Sequence, residues 1–417
     1  MANVIEPHKI KIETITPVHI GAGHKVKQWE YIESKDLSKI FVIRETIYDV
    51  LTPDQRRRLL IIMKGKKVTP HLLSNFFMEL NDKSKERISK YIIYNKYRIN
   101  LNKREIFAHI KSINSKPYIP GSSIKGAIKT FMLYQLYKNL NKSIKNKIEQ
   151  KILDKLKSLR KKSRKKLGQV LHDAFFKYIY PKVQRDFLYL SRSLGFRDST
   201  EIDHTVLYDM VLIDHPSHNK SLDRRYPIEV IDKENILHSG LFFQYKPETL
   251  SKIDLFMKKN NQIVHKHIYN YNAPVTNFNL SNPIIKLDWN FLRFTVISTI
   301  TDLINNEINF MTSIKNIDEQ YYNTAYKSIV DFYHDLEKII QNLKQNELIL
   351  RIGFASGFRF TTITFLLSQT IRDSIISMFS KLVPPANANK ILFPISRRFV
   401  SNRIKFQPLG WIKITKI

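Results

Sequence analysis

Strand-like and helix-like segments follow one another along this chain without a repeating βαβ unit, and that mixed order limits the fold more than any other feature. In residues 8–20, Ile10, Ile12, Ile15 and Val18 are interrupted by Lys9, Lys11 and Thr14, the alternation of a half-buried strand, which Gly21-Ala22-Gly23 ends. Ile40-Phe41-Val42-Ile43 is a second short strand. Thr52-Pro53-Asp54 opens a helix, with Thr52 as N-cap and Pro53 at the first helical position, and short helices are expected from there to about Tyr94. Tyr118-Ile119-Pro120-Gly121 reads as a turn before a helix from about Ser122 to Leu140, with Ile124, Ile128, Phe131, Met132 and Leu136 near one face. Further helices are expected over 144–180, 288–311, 321–344 and 361–380, and strands over 204–213, 236–246, 348–352 and 410–416, with a break at Pro384-Pro385. Strands separated by helices in this irregular order predict an α+β protein rather than a regular parallel series.

Three junctions join glycine to small polar and basic residues. They are Pro17-Val18-His19-Ile20-Gly21-Ala22-Gly23-His24-Lys25, Pro120-Gly121-Ser122-Ser123-Ile124-Lys125-Gly126 and Gly353-Phe354-Ala355-Ser356-Gly357-Phe358-Arg359. Glycine lets backbone approach a ligand closely, and successive N–H groups there form an anion-binding concavity. The second junction also opens a helix, whose N–H groups at Ser122 and Ser123 and whose dipole favour a phosphate, with Lys125 adding a full charge. The competing account of each junction is a tight turn and nothing more. Gly121 and Gly126 have the spacing of a nucleotide-binding loop, but Ala127 and Ile128 stand where Lys and Ser or Thr are required, so nucleotide binding is rejected.

Charge bears on the partner. Lys and Arg total 69 against 37 Asp and Glu, a formal net charge of +32 over 417 residues. Self-repulsion of that size is relieved by a polyanion, and nucleic acid is the commonest one. An anionic membrane surface and a codon bias toward Lys, Asn and Ile are the rival accounts. The absence of cysteine excludes a disulfide scaffold, Cys-based zinc fingers and thiol nucleophiles, and it fits a reducing compartment. The opening MANVIEPHKIKIETITPV lacks the apolar core of a signal peptide, and no run of about 18 uncharged apolar residues occurs, so the expectation is a cytoplasmic chain without a membrane partner.

The combination of TPVHIGAG, YIPGSSIKGAIK, RIGFASGF and PLGWIKI, in that order, resembles the RAMP superfamily of CRISPR-associated proteins. Within it, the order and length look most like the type III-A subunit that caps the 3′ end of the crRNA in the Csm complex. The resemblance implies two RRM-like (ferredoxin-like) folds with glycine-rich loops and helical insertions, divided here as 1–200 and 201–417. It also implies crRNA as ligand, other RAMP subunits as partners, and a role in crRNA maturation with a recruited host nuclease. The expected RNA contacts are His19, Gly21, Gly23, His24 and Lys25 in the first loop, Gly121, Ser122, Ser123, Lys125 and Gly126 in the second, Gly353, Gly357 and Arg359 in the third, and Arg397 and Arg398. One departure from the family pattern is Ala355, where a glycine usually stands. The RNP1 pattern is absent as well, so base stacking on sheet aromatics is not expected.

No catalytic residue, metal or cofactor is expected. Metal-independent RNA cleavage needs a base near a 2′-hydroxyl and a cation near the phosphate, roles His19, His24 and Lys25 could fill. No orienting carboxylate stands close in sequence, and the favoured reading has His19 packing on its strand and His24 touching phosphate. His215-Pro216-Ser217-His218 and the nearby Asp198, Asp203, Asp209 and Asp214 form a weak cation candidate, equally explained as a solvated surface. The basic run Lys155–Lys166 reads as a solvated helix face or an RNA- or protein-contacting arm. Two alternatives to a non-catalytic crRNA-binding subunit stay open: a RAMP endoribonuclease acting on pre-crRNA, and a subunit that caps through protein contacts.

Overall fold

The computed structural model describes residues 7–64, 70–102, 104–138, 142–158, 194–216, 224–243, 288–357, 360, 366–379, 396–401 and 405–417. The strands are β1 (His8–Thr14), β2 (Gly21–Val26), β3 (Tyr31–Glu33), β4 (Lys39–Ile43), β5 (Ser89–Tyr94), β6 (Ile106–His109), β7 (Leu194–Phe196), β8 (Thr205–Asp214), β9 (Arg225–Val230), β10 (Ile236–Phe243), β11 (Glu347–Arg351), β12 (Ser396–Ser401), β13 (Phe406–Gln407) and β14 (Trp411–Lys416). They form two sheets in a mixed α+β protein.

The smaller sheet is five-stranded and antiparallel, in the order β11-β14-β1-β10-β7. β1 sits at its centre because its alternation buries Ile10, Ile12 and Thr14 on one side. Ile12 lies opposite Leu237 in β10 and Ile414 in β14, so residues from both ends of the chain share one register. The long helix Trp289–Lys315 packs its Leu292, Val296, Ile300, Leu303, Ile304 and Met311 into the same core. Asp288 starts that helix, its carboxylate accepting from the Phe291 N–H at 3.0 Å. The helix Gly121–Lys138 contributes Ile124, Ile128 and Phe131, and its Gln135 amide donates to the Thr299 hydroxyl at 3.0 Å inside the interface.

The larger sheet has nine strands, ordered β2-β6-β9-β8-β5-β4-β3, with β12 paired to β8 and β13 to β12. It is mixed: β5–β8 and β6–β9 run parallel, the other pairs antiparallel. β8 shows why it has two different faces. Leu207 joins Ile40, Ile93, Ile106 and Ala108 on one side, while Val206, Tyr208 and Met210 join Ile228, Val230 and Val400 on the other. Both sheets take strands from each side of residue 200, the expected division.

Three elements differ from the sequence expectation. The short helices end at Ile88, and Ser89–Tyr94 is a strand, as its Tyr91-Ile92-Ile93-Tyr94 composition favours. β1 stops at Thr14, and Gly21–Gly23 begins a strand instead of ending one, because β2 pairs with β6. The helix expected over 321–344 is two, Glu319–Ala325 and Lys327–Gln341, parted at Tyr326 with φ −114° and ψ −26°. The hydroxyls of Tyr321 and Tyr326 both donate to the Asp214 carbonyl at 3.0 Å, which ties the break to the end of β8. The expected helix over 144–180 is met by Lys142–Ser158, and that over 361–380 by Gln369–Phe379; the remainder of each, like Pro384-Pro385, lies outside the described residues. Among the described residues no helix is long and apolar enough to cross a membrane.

Candidate nucleic-acid interface

The first and third glycine junctions and the PLGW segment, far apart in sequence, interlock. The Phe354 N–H donates to the His19 carbonyl at 2.9 Å, the Ile352 N–H to the Gly410 carbonyl at 2.8 Å, and the Gly410 N–H to the Pro17 carbonyl at 2.9 Å. Two glycines make this approach possible. Gly353 has φ +84°, and a Cβ there would stand 2.3 Å from the His19 carbonyl oxygen. Gly410 has φ +87°, and a Cβ there would stand 2.0 Å from the Ile352 carbonyl oxygen. Ala355 adopts φ +68° and is buried, so alanine here takes the left-handed turn at a cost of about 1–2 kcal/mol. The buried Arg351 clamps the loop, donating from Nε to the Leu409 carbonyl at 2.9 Å and from Nη2 to the Ala355 carbonyl at 3.2 Å.

Under this junction lies a polar cluster of which the sequence motifs announced only His19. His19 is buried, its Nδ1 donating to the Glu229 carbonyl at 2.6 Å. The Ile20 N–H donates to His109 Nδ1 at 3.1 Å, which leaves the His109 proton on Nε2, pointing to the Tyr118 carbonyl at 3.2 Å. The Glu229 carboxylate accepts from the His109 N–H at 2.9 Å, from the Thr205 hydroxyl at 2.5 Å and from the Lys111 ammonium at 2.5 Å. Lys111 also lies 3.9 Å from the centre of the Tyr91 ring. Burial lowers the His19 pKa, the Glu229 carbonyl and carboxylate opposing it. Burial, with neighbouring His19 and Lys111, holds His109 well below the usual imidazole range. Both imidazoles are therefore neutral supports of the chain, with their ring protons committed to carbonyls.

Above the junction the larger sheet presents a row of rings and cations. Phe354 stacks on Phe107 with centroids 5.8 Å apart and planes 24° apart. Tyr226 meets Phe107 edge-on at 6.1 Å, and His19 meets Phe354 edge-on at 5.7 Å. The Lys25 ammonium lies 4.8 Å from the Phe107 centroid, and the Arg398 guanidinium 5.0 Å from that of Phe354. Gly21, Gly23, His24, Lys25, Gly357 and Arg398 are exposed, and a Cβ at Gly21 would stand 3.5 Å from the His19 ring. Lys25 also pairs with Glu105 at 2.9 Å.

The second junction is built differently. Gly121 is packed so tightly that a Cβ would stand 2.2 Å from the Phe196 carbonyl oxygen. Its N–H, the first of the helix, donates to the Asp198 carboxylate at 2.8 Å, and the Ser123 N–H donates to the Pro120 carbonyl at 3.0 Å. A carboxylate of the chain itself thus already occupies part of the site where a phosphate was expected. Ser122 and Gly126 are exposed on the first turns, and Lys125 is partly exposed.

Strand alternation separates Arg397 from Arg398. Arg397 is buried, its Nε donating to Glu307 at 3.0 Å and its guanidinium 3.9 Å from the Phe310 centroid, so its charge is answered within the core. Arg398 points to the opposite, exposed side. Arg359 lies outside the described residues, as do His218 and the basic run beyond Ser158. The four aspartates have separate partners: Asp198 at Gly121, Asp203 at Lys116, Asp209 at Arg104 and Asp214 at Arg224. Among the described residues no group of three or more His, Cys, Asp or Glu is placed to hold a metal ion.

Phe107, Tyr226, His109, Lys111 and Glu229 were missed because each becomes notable only through its cross-strand neighbours. The alternation of Phe107 and His109 around Ala108 was the signal available for Phe107.

A family model described as the RAMP superfamily matches residues 11–357. A curated protein of Methanocaldococcus jannaschii, "CRISPR system Cms protein Csm5", is 24% identical over 435 residues, spanning 98% of this chain and 89% of that protein. Among solved structures, a chain of a Csm–crRNA–target RNA ternary complex of a type III-A CRISPR-Cas system superposes with a TM-score of 0.59 at 18% identity, covering 98% of this chain and 100% of its own. The crystal structure of T. onnurineus Csm5 gives 0.49 at 15% identity, covering 96% of this chain and 99% of that one.

Proposed function

The chain belongs to the RAMP superfamily, and on that premise we propose that it is the crRNA-binding subunit of a type III-A Csm effector complex, capping the 3′ end of the crRNA and supporting its maturation without cutting RNA itself. Two relatives point the same way: one carries the name Csm5, and one is a subunit in a complex with crRNA and target RNA. The observation that carries the reading is the meeting of the first and third junctions, which brings the exposed Lys25 and Arg398 over the stacked rings of Phe107 and Phe354. The net charge of +32 supplies the general attraction to a polyanion. The finer fold belongs to the same proposal: two RRM-like (ferredoxin-like) units, 1–200 and 201–417. Other RAMP subunits are its protein partners, and a recruited host nuclease trims the crRNA.

The non-catalytic part rests on His19. His19 is buried with its ring proton committed to the Glu229 carbonyl, a poor position for a general base that must reach a 2′-hydroxyl. The test is to add the purified chain to a Csm complex lacking it, using crRNA with and without its 3′ segment. Tighter incorporation on the longer crRNA, with the RNA uncut, is expected. Equal incorporation on both would remove the capping role, and metal-independent cutting of repeat RNA by the chain alone would replace this reading with the endoribonuclease.

A further inference from the structure

The larger sheet carries aromatic rings on the face beside the late loop Gly353–Gly357, and the packing leaves part of them at the surface. Register puts them on one side. Lys25 stands opposite Phe107, Phe107 stands beside Ile228, and Tyr226 precedes Ile228 by two positions on the same face. Phe107 and Phe354 are partly exposed, and Tyr226 is 38% exposed. Tyr208, on the same face, shows what an interior ring looks like here: it is fully buried, with its hydroxyl bonded to Tyr97 at 2.8 Å and to Asp232 at 2.7 Å.

Cations lie over two of the three rings, Lys25 over the central Phe107 and Arg398 over Phe354. Both cations are exposed where they lie over these rings, Lys25 also paired with Glu105 at 2.9 Å. Rings beside cations at a surface match an unpaired nucleotide, whose base has a flat face for the ring and whose phosphate has a charge for the cation. We propose that Tyr226 and Phe107, flanked by Lys25 and Arg398, form a stacking platform for unpaired bases of single-stranded RNA. This rests on the reading of the chain as an RNA-binding subunit and adds to it a contact with bases as well as with backbone. Every base has a face to stack, so the platform is tolerant of sequence. It also differs from the expectation drawn from the missing RNP1 pattern, because rings from β6, β9 and the late loop assemble the surface without that motif.

The test uses the full chain and two labelled oligomers within the usual site size of about 4–16 nucleotides, one of oligoadenylate and one of the same length with abasic sugars, followed by fluorescence anisotropy. The wild-type chain is expected to bind the oligoadenylate at least about five-fold more tightly than the abasic oligomer. Tyr226→Leu, at an exposed position, is expected to bring the two affinities together, and Tyr226→Trp to keep them apart. Equal wild-type affinity for both oligomers would overturn the platform while leaving a backbone-binding subunit in place. A Tyr226→Leu chain that keeps the full preference would overturn it too. Binding of neither oligomer would overturn the RNA-binding reading itself, and the platform with it.

Discussion

At the start of the helix Gly121–Lys138 the first N–H holds the carboxylate of Asp198, whereas the late loop Gly353–Gly357 lies between a buried neutral histidine below and an exposed arginine above. Both segments pair a small, glycine-bearing turn with nearby basic residues. In each, the first glycine is locked against backbone, Gly121 against Phe196 and Gly353 against His19, and the second, Gly126 or Gly357, faces open space. The first glycine therefore serves the fold. What distinguishes the two as phosphate sites is the charge beside them: a phosphate at the helix start would meet Asp198, and one at the late loop would meet Arg398.

The largest effect that could break this comparison is in the locked glycines. Gly353→Ala and Gly121→Ala should each lose about 3 kcal/mol or more in denaturant unfolding, from backbone overlap and, at Gly353, left-handed strain as well. Gly357→Ala, which has φ +84° but open space, should lose only about 1–2 kcal/mol. Equal losses at Gly353 and Gly357 would mean that the His19 contact contributes nothing.

Acid should follow in size. The folded pKa of His19 and of His109 lies below the ordinary 6.5, so as pH falls past that value the unfolded chain takes up protons that the folded chain refuses. Stability contributed by the neutral rings is thus intact above about pH 6.5 and is lost below it, by up to about 1.4 kcal/mol per histidine per pH unit. Melting curves between about pH 7 and pH 5.5 should show the fall, and a flat profile would contradict neutral, carbonyl-bound imidazoles.

The electrostatic difference itself is sharpened by salt titration of RNA binding. Arg398→Ala should flatten the log-affinity against log-salt slope by roughly 0.7, the single-strand value for one phosphate. Lys125→Ala should flatten it by less, because Asp198 already offsets positive charge at the helix start. The reverse order would place the phosphate at Gly121. The smallest effect is Gly126→Ala, on an open helical surface, which should stabilise the chain by about 0.5–1 kcal/mol and leave RNA affinity unchanged.

The sequence was most legible where its pattern was local. The alternation of Ile10 and Ile12, the N-cap signal at Thr52 and the helix spacing of Ile124, Ile128 and Phe131 all appear in the structure as expected. The Gln55 N–H donates to the Thr52 hydroxyl at 3.3 Å, as the cap predicts. Elements fixed by distant partners were not legible. Ser89–Tyr94 is a strand because β4 and β8 flank it, and Gly21–Gly23 is a strand because β6 pairs with it. The first and third motifs drew attention to His19, Lys25 and Gly353, but their meeting depends on a hydrogen bond across more than half the chain. Phe107 and Tyr226 lie in no motif and join the surface only through sheet register.

Ultraviolet crosslinking of crRNA to the chain, with the adducts mapped by mass spectrometry, tests the proposed RNA surface most directly. Adducts are expected on peptides carrying Lys25, Phe107, Tyr226 and Phe354, with few on the peptide that begins the Gly121 helix. Adducts concentrated at Ser122–Gly126, with none on the Phe107 and Phe354 peptides, would contradict the account.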